Sequence, residues 1–137
     1  MHLSAAQIRY LLAIYELSDN GKVRSNEVAE KMGISRPSVH RMMGQLAERK
    51  LITKERYSFA MITESGEKTA RKYRDRLGKI SVYFVKEMGL KEETAQEVAF
   101  ALLGGLEETK INEICDTAFL PDSRGPVAIG AEENDEK

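Results

Sequence analysis

Apolar residues recur at helical spacing from the start of the chain. Ile8, Leu11, Leu12 and Tyr15 fall on one face and predict an amphipathic first helix. Ser4, with Gln7 three residues on, has the spacing of a capping box, in which each side chain satisfies a backbone N–H of the first turn. Asp19-Asn20-Gly21 reads as the turn that ends this helix. A second helix is expected from Ser25, as its cap, through Val28, Ala29 and Met32, with Gly33 supplying a left-handed exit. Ile34 plugs the turn. Ser35 then caps a third helix with Pro37 in its first turn, where an N–H has no helical partner to lose. Val39, Met42, Met43 and Leu46 form the inward stripe of that helix.

After Lys50 the pattern changes. Leu51-Ile52 opens a strand, Lys54-Glu55-Arg56 reads as a polar turn, and Phe59 to Ile62 returns, which predicts a short hairpin. Thr63 caps a fourth helix containing Ala70, Tyr73 and Leu77. From Ile80 that helix becomes heavily apolar, with Val82, Tyr83, Phe84, Val85 and Met88, until Gly89 breaks it. Two further helices are expected over Lys91–Leu103 and Glu107–Phe119, punctuated by Gly104-Gly105. Their inward residues are Ala95, Val98, Ala99, Leu102 and Leu103, then Ile111, Ile114, Cys115 and Ala118. From Pro121 on, bulky apolar residues are few and the chain ends Glu132-Glu133-Asn134-Asp135-Glu136-Lys137, a composition that cannot repay the entropy of ordering.

Composition narrows the class. The 137 residues are 42% hydrophobic and 31% charged, an ordinary globular mix able to bury a core without a metal or disulfide staple. No apolar run is long enough to span a bilayer and no export signal opens the chain, so no membrane partner and a cytoplasmic location are expected. The single Cys115 excludes an internal disulfide. The net charge of -1 conceals an asymmetry. Residues 1–78 carry 15 Lys+Arg against 9 Asp+Glu, whereas residues 79–137 carry 6 against 13. A basic half suits a polyanion and an acidic half does not.

Helix, glycine turn, helix and hairpin from Ser25 to Ile62 follow in the order of a winged helix-turn-helix. The third helix meets the physical demand of that fold, which is one buried face and one slim polar face that fits the major groove. Arg36, Ser38, His40, Arg41 and Gln45 are expected to face outward, and Gly44 keeps the face slim. Arg36 and Arg41 suit phosphate or a guanine edge, and Gln45 suits adenine. The hairpin tip, with Lys54 and Arg56, would grip flanking phosphate as the wing, and Ser25 and Asn26 would donate to phosphate from a helix N-terminus. The bland alternatives are a solvated amphipathic helix and a polar turn. The apolar stretch from Ile80 to Met88 exceeds what one short helix buries alone. Ile80, Tyr83, Phe84, Val98 and Leu102 are therefore expected in a homodimer interface, against the alternative of a compact monomeric cap.

The expected architecture is mainly α with a small β-hairpin wing. A winged helix-turn-helix domain occupies residues 1–76, a helical dimerisation domain 77–120 and a disordered acidic tail 121–137. The function implied is a homodimeric regulator that binds double-stranded DNA at a palindromic operator. A regulator of the MarR type, controlled by a small organic ligand, and a winged-helix protein-interaction module are the alternatives. No Ser/His/acid set, P-loop or GxGxxG motif supports an enzyme.

Several phrases carry a resemblance. Tyr10-Leu11-Leu12-Ala13-Ile14-Tyr15-Glu16-Leu17, Val28-Ala29-Glu30-Lys31-Met32-Gly33-Ile34-Ser35, Pro37-Ser38-Val39, Ile62-Thr63-Glu64-Ser65-Gly66 and Met88-Gly89-Leu90 resemble the diphtheria toxin repressor family of iron- and manganese-dependent repressors, most of all its short manganese-regulator branch. The likeness covers residues 7–118 and includes no SH3-like third domain. It implies that Ser35, Pro37, Ser38, His40 and Arg41 sit at the family's DNA-contacting positions. It also implies a divalent metal, manganese or iron. A gapless alignment sets Arg9, Leu12, Gly78, Phe100, Leu103 and Gly104 at the family's ligand positions, however, and none of these is a ligand for such a metal. No metal site is therefore expected, and DNA binding is expected to be constitutive or governed by another signal. The apolar space around Phe100 and Leu103 would be simple core or a pocket for an organic effector.

Overall fold

The computed structural model describes residues 2–18, 21–54 and 59–118. Over these residues the order is α1 (Ala5–Leu17), β1 (Val23–Arg24), α2 (Ser25–Met32), α3 (Arg36–Glu48), β2 (Ile52–Lys54), β3 (Phe59–Ile62), α4 (Glu64–Met88), α5 (Glu92–Gly105) and α6 (Glu108–Ala118). The fold is that of a winged helix-turn-helix followed by helices. The expected tail, 121–137, and the Asp19-Asn20 turn lie outside the described residues, as does Arg56 at the wing tip.

The chain divides into two compact units, one from Leu3 to Asp75 and the other from Arg76 onward with His2. In the first, the caps form as the spacing predicts. The Gln7 N–H donates to Ser4 Oγ at 3.1 Å and the Ser4 N–H donates to Gln7 Oε1 at 3.0 Å, closing the capping box of α1. Gly33 leaves α2 at φ 69°, a region open to glycine at little cost. Ser35 caps α3 by accepting from the Ser38 N–H. Thr63 Oγ1 accepts from the Gly66 N–H at 2.9 Å, which caps the first turn of α4. Gly66 is obligatory for another reason. A Cβ there would lie 2.0 Å from the Leu51 carbonyl oxygen, so only glycine lets α4 pack on the turn after α3.

The core of this unit is built from fully buried Ile8, Leu11 and Ile14 of α1, Val28 of α2, Val39 and Leu46 of α3, and Leu51. Met43 joins them at 1% exposure, while Met42, expected beside it, is only half-buried. The sheet has three antiparallel strands in the order β1-β3-β2 rather than the expected two. Ile52 pairs with Ile62 and Lys54 with Ala60, while Val23 pairs with Ala60 and Arg24 with Phe59. Two-residue β1 is too short to show an alternating pattern, which is why the sequence reading passes over it.

The second unit differs from expectation at two points. Gly104 and Gly105 do not separate two helices but complete α5, with Leu106 as its C-cap. Ile80, expected at an interface, is 1% exposed and belongs to the chain's own core with Ala95, Ala99, Phe100, Leu103 and Ile111. Arg76 secures α6 to α4 through a hydrogen bond to Asn112 and an ion pair with Glu108 at 3.1 Å. No described helix is long and apolar enough to cross a membrane.

Candidate nucleic-acid interface

The third helix presents one coherent outer face. Arg36, Pro37, His40 and Arg41 are exposed, and Ser38 and Gly44 are half-buried. At 100° per residue, Pro37, Arg41, Gly44 and Glu48 form the outermost line with His40 beside it, while Arg36 starts the line of Val39 and Met43 and is exposed as the first residue of the helix. The inward line is Val39, Met43 and Leu46, each 1% exposed or less. That anchoring fixes the rotation of the helix about its own axis, so the cations project in one direction. Ser35 reinforces the start, because its hydroxyl donates to Ser38 Oγ at 3.0 Å while also serving as cap.

Gly44 has no packing reason to be glycine. Its φ is an ordinary helical one, and a Cβ built there meets nothing within 4 Å. A mid-helix glycine costs roughly 0.5–1 kcal/mol relative to alanine. The outer face is therefore slimmer than folding alone requires.

Other expected contact residues are placed less simply. Gln45, expected to point outward, is half-buried, and its Oε1 accepts from Gln7 Nε2 at 3.0 Å. The α1 capping box and α3 are thus joined through one amide, which leaves the Gln45 amide nitrogen as its remaining donor. Ser25 is not the cap of α2. Arg24 holds that position and Ser25 is the first helical residue, 4% exposed. Burial takes the Ser25 side chain away from the surface, whereas neighbouring Asn26 is exposed. Lys54 is exposed at the end of β2.

The sequence reading missed a pair of cations at the sheet. The Arg24 guanidinium lies 4.4 Å from the Phe59 ring centroid and Lys22 Nζ 5.4 Å from it. The signal was present in Lys22-Val23-Arg24, an apolar residue flanked by two cations, but three residues do not identify a strand.

Of the residues expected at an interface between copies, Tyr83, Phe84, Val98 and Leu102 are half-buried. Val82 and Met88, part of the apolar stretch but not among the expected interface residues, are 54% and 60% exposed. Tyr83 and Phe84 meet edge to face, with centroids 5.4 Å apart.

The residues that the resemblance sets at metal-ligand positions do not fit a divalent cation. Arg9 and Gly78 are exposed, Leu12, Phe100 and Leu103 are buried, and none offers a carboxylate or imidazole. Of the two histidines, His40 lies on the outer face of α3, while His2 Nε2 is 2.9 Å from the Gly104 carbonyl. Among the described residues no three His, Cys, Asp or Glu side chains gather into a possible site.

Residues 2–60 match the family model described as "Iron dependent repressor, N-terminal DNA binding domain". An uncharacterized HTH-type transcriptional regulator of Methanocaldococcus jannaschii is 30% identical over 101 residues, covering 72% of this chain and 81% of that protein. A hypothetical protein from Sulfolobus solfataricus shares the fold, with a TM-score of 0.63 at 24% identity over 82% of this chain and 86% of that one. The manganese regulator SloR superposes with a TM-score of 0.68 at 25% identity, covering 85% of this chain but only 53% of its own.

Proposed function

The chain belongs to the iron-dependent, or diphtheria toxin, repressor family of DNA-binding transcriptional regulators, which are not enzymes, and from that premise we propose that it acts as a cytoplasmic homodimer on a palindromic operator, without the family's metal. The observation that carries the DNA contact is the outer face of α3, where Arg36, His40 and Arg41 are exposed over a buried Val39/Met43/Leu46 line. Cationic side chains on a slim helix reach guanine edges in the major groove, and Ser35, Pro37 and Ser38 at its N-terminal end approach the backbone. Gly44 lets the helix sit closer than an alanine would. The Gln45 amide nitrogen, with its oxygen already engaged by Gln7, contributes a donor. Lys54, Asn26 and the wing residue Arg56 supply phosphate contacts, which raise affinity without reading sequence.

Dimerisation is supported by exposed Val82 and Met88, together with half-buried Tyr83, Phe84, Val98 and Leu102. Two copies related by a two-fold axis would set their α3 helices about 34–36 Å apart, one turn of B-DNA. Operation without metal is supported by the donor chemistry at the ligand positions, where Leu12, Phe100 and Leu103 are core residues.

Replacement of both Arg36 and Arg41 by Ala tests the reading. The variant is expected to keep its helical circular dichroism and to lose preference for an in-vitro-selected duplex over a scrambled one. Unchanged preference would contradict the assignment. For the metal, calorimetric titration with manganese, iron(II) and zinc is expected to give no sub-micromolar binding. Such binding, coupled to tighter operator affinity, would overturn that part of the proposal.

A further inference from the structure

We propose that the outer face of the three-stranded sheet is a separate DNA-backbone clamp, in which Lys22 and Arg24, seated over the Phe59 ring, take phosphate groups flanking the bases that α3 reads. This inference rests on the reading of α3 as the DNA-reading helix.

Lys22 and Arg24 are two residues apart around β1 and share one face, while Val23 between them is fully buried. Arg24 pairs directly with Phe59, and Val23 pairs with Ala60, itself fully buried. The register sorts the strands by side, with exposed Lys54, paired with Ala60 at the end of β2, as the exception. Val23, Ala60 and Ile52 face the core, and Lys22, Arg24, Phe59 and Met61 face out. At 4.4 Å and 5.4 Å from the ring centroid both cations lie within the range of cation–π attraction. Stacking uses the flat face of a guanidinium and leaves its N–H edge to donate to phosphate. It also holds two long side chains in place beforehand, which lowers the entropy lost when they bind.

Both cations are exposed, and among the described residues neither forms an ion pair with a carboxylate. Glu27, three residues after Arg24, accepts from the Arg24 backbone N–H at 2.9 Å through Oε1 rather than from its guanidinium. The clamp is fixed at both ends of the helix-turn-helix. Arg24 is the last residue of β1 and the cap of α2, and the sheet's other edge, β2, begins four residues after α3 ends. That continuity with α3, within the basic part of the chain, favours duplex DNA as the partner over an acidic protein.

The full-length Lys22→Ala, Arg24→Ala double variant tests this by fluorescence anisotropy on a selected operator duplex and a scrambled duplex of equal length, between 50 and 200 mM salt, on the order of the range in which counterion release is read. Each lost phosphate contact lowers the slope of log affinity against log salt by about 0.9, so a fall of up to about 1.8 is expected. Affinity for both duplexes should drop by the same factor, with their ratio and the melting temperature unchanged. Phe59→Leu removes the ring but keeps both charges, and is expected to weaken both duplexes several-fold with the salt slope intact. A double variant with wild-type slope and affinity overturns the clamp, and so does a loss confined to the operator, which would make these residues base readers. Arg41→Ala in parallel separates the two readings. If it abolishes operator preference while the double variant is silent, only the clamp fails. If Arg41→Ala is silent as well, the assignment of α3 fails with it.

Discussion

The helix-turn-helix unit and the helices after Arg76 are assembled by the same means, apolar stripes at helical period closed by caps, yet they leave different chemistry at the surface. In the first unit the outer faces of α3 and the sheet carry Arg36, His40, Arg41, Lys22 and Arg24. In the second, the exposed residues that stand out are apolar, Val82 and Met88, within a segment whose charges are mostly acidic. Burial alone would not produce this division, since either unit could have covered itself with mixed charges. A surface of exposed cations suits a polyanion, and exposed apolar side chains on an acidic body suit a copy of itself.

Four perturbations probe that contrast. The largest effect is expected from Leu46→Ala, which hollows the fully buried line behind the α3 cations. It should destabilise the first unit by about 2–5 kcal/mol and disorder the DNA face with it. Thermal unfolding measures the loss, and a melting temperature close to wild type would mean the line is not the anchor described. Next comes Arg36→Ala with Arg41→Ala. At roughly 1–3 kcal/mol for each good bidentate base contact, operator affinity should fall on the order of 100-fold while self-association is untouched.

The reciprocal change, Val82→Glu with Met88→Glu, leaves α3 intact and sets charge on the apolar patch. Sedimentation should show a dimer weakened at least about tenfold, with the affinity of one subunit for a half-site preserved. A dimer of undiminished strength would move the interface elsewhere. The smallest effect, and the sharpest in sign, is expected at Gly44. Gly44→Ala should stabilise the fold by roughly 0.5–1 kcal/mol, because nothing occupies the space a Cβ enters, and yet weaken operator binding. Stabilisation without loss of binding would show that α3 never approaches DNA closely at that point.

Much of the first unit was legible in the sequence because its signals are local. Ser4 with Gln7, Gly33, Ser35 and Thr63 announce helix ends through chemistry within three or four residues, and each cap forms as spaced. What escaped depends on distant pairing. Strand β1 exists only because Val23 meets Ala60 across the sheet, and the seating of Arg24 on Phe59 follows from that register. Gln45 lies on the outward side of an ideal amphipathic helix, and only the tertiary position of Gln7 draws it inward. Serine favours the cap role that Ser25 is expected to fill, but the strand immediately before it gives the cap to Arg24 and buries the serine. In the second unit, helical periodicity identified Ile80 as apolar without distinguishing a residue buried in its own protomer from one left for a partner. Exposure makes that distinction and points to Val82 and Met88 instead.

Footprinting of the purified protein on a duplex selected from random sequence tests most directly whether the cationic unit reads DNA while the apolar patch joins two copies. Two protected half-sites of inverted sequence are expected, with centres separated by about 10–10.5 base pairs or a multiple of that. A single undivided site, or protection no better than on scrambled duplex at the same salt, would contradict it.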